Sequence, residues 1–166
     1  VPIVFYLSIS YLNKQIIVNK ELKYSLKNIY NKTYNKVILI KTDNNIENIN
    51  DVNSLIIYKN NGETSINNKK ILRQKIDNKI TNYNKIIVPY GKRSEVVLSD
   101  GSRMILNSGS YAVYPINFDN KIRQVYIEGE AYFEVKHNDK YPFIVKTRNI
   151  DIEVLGTKFN ITNYND

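Results

Sequence analysis

At 166 residues the chain is long enough for one domain with a sizeable core and too short to suggest two full ones. It has no cysteine and one histidine, which excludes a disulfide framework and a thiolate or His-rich metal site, and leaves little room for Ser–His or Cys–His catalysis. The net charge of +8 lies entirely in the first half: residues 1–86 carry 14 basic and 6 acidic side chains, residues 87–166 ten of each. A nucleic-acid surface gathers its basic residues on one face with aromatic or helical readers. Here the lysines are scattered among asparagines, as in "NKELKYSLKNIYNKTYNK", so they read as an Asn/Ile/Lys/Tyr compositional bias and no nucleic-acid partner is expected.

The first twelve residues, "VPIVFYLSISYL", are apolar and uncharged. A membrane-spanning helix needs roughly 20 such residues, so this stretch reads either as the end of a truncated transmembrane helix or as a buried or edge strand. Residues 13–36 are polar, basic and poorly patterned, and read as a linker or a marginal helix. From Val37 short apolar runs begin, with "VILI" (37–40), "SLIIYK" (54–59) and "KIIVP" (85–89) separated by the Asn- and Gly-bearing turns "TDNN" and "KNNGET". The stretch 67–80 fits a helix or a strand equally well.

The second half is more regular. "EVVLS" (95–99) and "RMILN" (103–107) flank Asp100–Gly101, a strong hairpin signal. "YAVYP" (111–115), "IRQVYIE" (122–128), "EAYFEVK" (130–136), "PFIVKT" (142–147), "IDIEVLG" (150–156) and "KFNIT" (158–162) follow. Short strands at near-even spacing, with turn residues between them, predict an all-β fold, a twisted sandwich or a β-solenoid-like arrangement. Alternation assigns Met104, Leu106, Val125, Ile127, Phe133, Val135, Phe143, Val145, Ile152, Val154 and Phe159 to the interior. Gly91, Asp100, Gly101, Gly129 and Gly156 mark turns, and Gly129 interrupts a strand where a bulge or corner is easily made.

The run "GEAYFEV" (129–135) raises the question of chemistry, because Glu128, Glu130 and Glu134 lie close together in sequence. From Val125 to Val135 the odd positions are apolar or glycine and the even positions are Tyr126, Glu128, Glu130, Tyr132 and Glu134. That pattern predicts a half-buried strand whose glutamates form a solvated face. An acid/base pair needs two carboxylates in opposed environments, and the pattern marks none as desolvated. "SDGSRMILNSGS" lacks the spacing of a phosphate or calcium loop. Lys92 and Arg93 beside Gly91 could hold an anion, although a solvated turn explains them as well. His137 lies in the polar turn "HNDK". The residues therefore predict a binding or structural module rather than an enzyme, with no cofactor and no metal.

Taken in order, "VPYGKRSEVVLSDGSRMILNSGSYAVYPINF", "RQVYIEGEAYFEVKHNDKYPFIVKT" and "IDIEVLGTKFNI" resemble the FecR family of anti-sigma regulators, especially those of the Bacteroidota. The resemblance is strong over residues 86–166 and looser over 37–85, which makes 37–166 a FecR-like β domain that is incomplete at its C-terminal side. It departs at Ile105, where the family often carries Trp. The resemblance implies the periplasmic part of a protein anchored by a single pass in the inner membrane. Its partners would be the signalling domain of a TonB-dependent outer-membrane receptor and, through a cytoplasmic domain, an extracytoplasmic-function sigma factor. Ile105, Tyr126, Glu128, Glu130 and Tyr132 are then the candidate partner-facing residues. A carbohydrate- or ligand-binding β module of the cell envelope is the alternative.

Overall fold

The computed structural model describes residues 35–41, 44–59, 61–74, 82–118 and 123–164. The readings of 1–12 as a membrane end and of 13–36 as a linker, apart from its last two residues, lie outside these residues, as do residues 75–80 of the undecided segment, whose described part forms a strand at Lys70–Arg73. No helix among the described residues is long and apolar enough to cross a membrane.

Thirteen strands are formed among the described residues: β1 (Val37–Ile40), β2 (Ile46–Ile49), β3 (Asn53–Tyr58), β4 (Glu63–Ile66), β5 (Lys70–Arg73), β6 (Tyr83–Val88), β7 (Arg93–Val97), β8 (Arg103–Leu106), β9 (Ser110–Pro115), β10 (Arg123–Glu134), β11 (Phe143–Lys146), β12 (Asp151–Val154) and β13 (Lys158–Asn163). The long strand β10 organises the rest. Its first half pairs antiparallel with β9 and parallel with β11, while its second half, from Gly129 onward, pairs antiparallel with β8 and β13. One half of the fold therefore runs β2-β1-β6-β9-β10-β11-β12, and the other runs β5-β4-β3-β7-β8-β10-β13. Most pairs are antiparallel, the exceptions being β10–β11 and β3–β7. Mixed pairing through one shared strand joins all the strands into a single curled, twisted sheet, a half-barrel.

The core lies between the two halves. Met104, Leu106, Val125, Ile127, Phe133, Val135, Phe143 and Val145 are buried there as alternation requires, and Ile152, Val154 and Phe159 pack against it partly covered. Phe133, from the second half, meets Phe143 of the first edge-on at 6.0 Å and stacks on Phe159 at 5.2 Å. At the other end Tyr58 and Tyr114 meet across the halves at 5.4 Å. Their hydroxyls lie 3.1 Å apart, and the Asn84 amide donates to the Tyr58 hydroxyl at 2.7 Å. Burial pushes the Tyr58 phenol up to about 12, opposed by its hydrogen bonds to Tyr114 and Asn84.

The strands missing from the sequence reading are polar or short. "IENI" of β2 has two exposed positions out of four, and in β4 Thr64 and Ser65 stand between Glu63 and Ile66. The turn read in "KNNGET" ends at Gly62, whose amide donates to the Lys59 carbonyl, and its last two residues already belong to β4.

Candidate interaction surfaces

The corner predicted at Gly129 is where β10 leaves one half of the fold for the other. Gly129 has φ +95°, and an added Cβ would lie 2.6–2.9 Å from the side chain and Cα of Ser110. Only glycine meets both conditions. Ser110 fills the space instead: its Oγ accepts from the Glu130 amide and donates to the Glu130 carbonyl, each at 2.9 Å.

This corner divides the five candidate partner-facing residues. Tyr126 and Glu128 precede it and lie on the outer side of the first half; Glu130 and Tyr132 follow it and lie, with Ile105 of β8, on the outer side of the second. The solvated-face reading fails at Glu128, which is 4% exposed. The Tyr126 hydroxyl donates to its Oε1 at 2.6 Å and Arg148 donates to the same atom at 3.2 Å. Desolvation raises its carboxyl above the usual range, with Arg148 opposing. The cause is the surface around it. Ile38, Ile87 and Tyr111 share its row in the register and are buried too, so this side of the sheet is apolar although it faces away from the core. The Tyr111 hydroxyl, opposite Glu128, has no hydrogen-bond partner among the described residues.

The second group is half-exposed. Ile105 and Tyr132 are cross-strand partners and stand side by side. Next to them Arg103 donates to Glu95 at 2.9 Å and to Glu134 at 2.9 Å, and Lys158 reaches Glu134 at 3.4 Å. Burial would raise the Glu134 carboxyl, but Lys158 and Arg103 outweigh it and hold it low. Asn160 approaches Glu130 at 3.5 Å.

The hairpin at Asp100–Gly101 is present, with Gly101 at φ +85° donating to the Leu98 carbonyl at 2.9 Å. Asp100 does not take a positive φ, so this is a three-residue turn with a glycine bulge and not a two-residue one. Its carboxylate does more than shape the turn. Oδ1 accepts from the Ser102 amide and Oδ2 from Arg123 at 2.9 Å. The Arg123 side chain is 5% exposed and also donates to the carbonyls of Lys136 at 2.7 Å, Tyr141 at 2.9 Å and Leu155 at 3.3 Å. One guanidinium thus ties the hairpin to the end of β10 and to the loops before β11 and after β12. Sequence reasoning passed over Arg123, although its odd position sets it in the inward row with Val125 and Ile127, where a charge requires a partner.

Gly91 sits in the turn between β6 and β7, its amide donating to Ser108 Oγ at 3.1 Å. The anion reading of that turn gains nothing from Lys92, whose ammonium donates to the Asn50 carbonyl at 2.6 Å. Gly156 is a close approach: a Cβ there would lie 2.4 Å from the Cα of His137. His137 itself is solvent-facing and meets Asp139 at 3.0 Å. Among the described residues no group of three His, Cys, Asp or Glu is placed to hold a metal ion.

A family comparison matches residues 84–166, the run from β6 through β13 that contains the shared strand, to the FecR protein family. The chain belongs to the FecR family. The FecR match coincides closely with the segment singled out from the order of its motifs. Two solved structures of a candidate anti-sigma factor from Parabacteroides distasonis ATCC 8503 are 43% and 44% identical, with TM-scores of 0.49 and 0.48. The matches cover 49% and 48% of this FecR chain but only 38% of each of those proteins. No curated protein matches the chain.

Proposed function

We propose that this chain is the periplasmic, signal-receiving part of a FecR-type anti-sigma regulator. It relays a signal from the signalling domain of a TonB-dependent outer-membrane receptor to an extracytoplasmic-function sigma factor held by another part of the same protein, anchored in the inner membrane by a single span. The observation that carries the reading is the FecR match over residues 84–166, which takes in the whole shared strand and its neighbours on both sides. Ile105, Tyr132 and Glu130 form the partner-facing patch on the second half, while Tyr126 and Glu128 act as a supported group on the first. The carbohydrate-binding alternative is less favoured, because Tyr126 and Tyr132 are both half-buried and stand on different halves, so they offer no shared platform for a sugar ring.

Titration calorimetry of the full periplasmic region against the receptor's signalling domain tests the relay. Saturable heat that is lost on changing Tyr132 to Ala supports it. No heat at high micromolar concentrations of both proteins counts decisively against it.

A further inference from the structure

The two sides on which the curled sheet ends differ. On one side β2 and β5 are the outermost strands and Glu47 of β2 is joined to Lys70 of β5 by an ion pair; Ile49 of β2 is buried, while Ile46 of β2 and Ile71 of β5 are 59% and 62% exposed. On the other side β12 and β13 are outermost among the described residues. There the inward Ile152 and Val154 of β12 stay partly uncovered, and Ile150 and Leu155 at its two ends are 57% and 46% exposed. The neighbouring edge β13 is better closed, with Ile161 buried and Phe159 stacked on Phe133. The outward row of β12 is acidic. Asp151 is paired with Lys146 of β11, whereas Glu153 stands opposite Ile144 and has no cation across from it.

We propose that the free edge of β12 is a docking site for an extended peptide segment in which apolar and basic residues alternate, added to the sheet as a further strand. Unpaired backbone groups on an edge strand template such addition. Side chains of the incoming strand alternate between faces, so its apolar residues cover Ile152 and Val154 while its cations stand against Asp151 and Glu153. Opposite charges directly across a strand pair are favourable and like charges are not. The same rule disfavours a second copy on this edge, because β12 paired with itself sets Asp151 and Glu153 against their own counterparts. Short acidic edges also discourage aggregation, which accounts for the charges but leaves the uncovered apolar row unexplained. With a net charge of +8 the chain as a whole repels a cationic peptide, so attraction of one has to be local. The inference rests on this edge alone and stands apart from the receptor relay, so a failed peptide titration leaves the family-based reading where it was.

The test uses the full 166-residue chain, isotope-labelled, with three short probe peptides: alternating valine and lysine, the same composition in two blocks, and alternating valine and glutamate. The alternating basic peptide is expected to shift the amide resonances of residues 143–146 and 150–155, with the other two at least about tenfold weaker. Glu153→Lys, a fully outward change, should weaken the basic peptide several-fold, strengthen the acidic one and leave the thermal midpoint in place. The proposal is overturned if no shift appears in β12 at about 1 mM peptide, if the blocked and alternating peptides bind alike, or if the free chain already self-associates through β12 in sedimentation.

Discussion

Replacing Arg123 by Met keeps most of the side-chain volume and removes every polar contact the guanidinium makes. The change strands the Asp100 carboxylate, which keeps only its bonds from Ser102, and frees the carbonyls of Lys136, Tyr141 and Leu155 in a place where Arg123 itself is 5% exposed. Removing one member of a buried ion pair costs about 3–5 kcal/mol, and each unsatisfied carbonyl about 1–3 kcal/mol before water relieves it. Loosening of the loops lets water in, so the total should fall near 3–5 kcal/mol and not at the sum. Against a typical domain stability of about 5–15 kcal/mol, that is a large share. The assay is urea unfolding of the wild type, Arg123→Met, Asp100→Asn and the double variant. Asp100→Asn keeps an acceptor for Ser102, so the double variant should lose clearly less than the two single losses combined. Hydrogen exchange should quicken together at residues 98–102, 137–142 and 155–157. A loss below about 1 kcal/mol for Arg123→Met, or additive single losses, would refute the assignment of Arg123 as the tie between these segments.

Gly129→Ala should destabilise by about 2–4 kcal/mol, since it combines a disfavoured φ with a clash against Ser110; a calorimetric midpoint within a degree or two of wild type would contradict the corner. Tyr58→Phe should cost about 1–3 kcal/mol by removing the buried hydroxyl that accepts from the Asn84 amide and pairs with the Tyr114 hydroxyl, and chemical denaturation would show it. For Glu128, whose folded carboxyl is raised, ionisation is less favourable in the folded than in the unfolded chain. Its destabilising effect is absent below the unfolded value of 4.5, grows as pH rises through the raised folded value, and is complete above it. Relative to Glu128→Gln, the wild type should therefore lose stability as pH rises from about 4.5 toward neutrality, read by denaturant midpoints across that range. A difference that is flat with pH, or that grows in the opposite sense, would show that Arg148 holds the group fully ionised.

Much of the fold could be read from alternation and turn residues alone. The inward apolar positions named in β8, β10 and β11 were correct, because alternation turns one row of each strand toward the core. The strands β2 and β4 were not legible, since edge and turn-bounded strands rich in Glu, Asn, Thr and Ser carry little apolar period. Residues 122–128 and 130–136 read as two strands with a glycine between them; only the three-dimensional pairing makes them one strand serving two partners on each side. Glu128 was misread because an outward parity predicts solvent only where the outer side is wet, and Ile38, Ile87 and Tyr111 come from strands far away in sequence. Arg123 could have been found by asking why a charge shares the parity of Val125 and Ile127, but its partners, up to 32 residues away, could not.

The shared strand also sets the order in which this chain can be made. β1 finds β6 about half-way through the described residues, and β3 waits for β7, yet the two halves have no strand in common until β10 has left the ribosome. Before that moment the nine earlier strands lack Val125, Ile127, Ala131 and Phe133, all buried in the finished core, and such long-range pairing is slow and open to aggregation. Once residues 123–134 are available, both halves gain the strand they share in one event. A nascent chain stalled just short of Arg123 should accordingly be a substrate for holding chaperones and proteases, and one released a few dozen residues later should not.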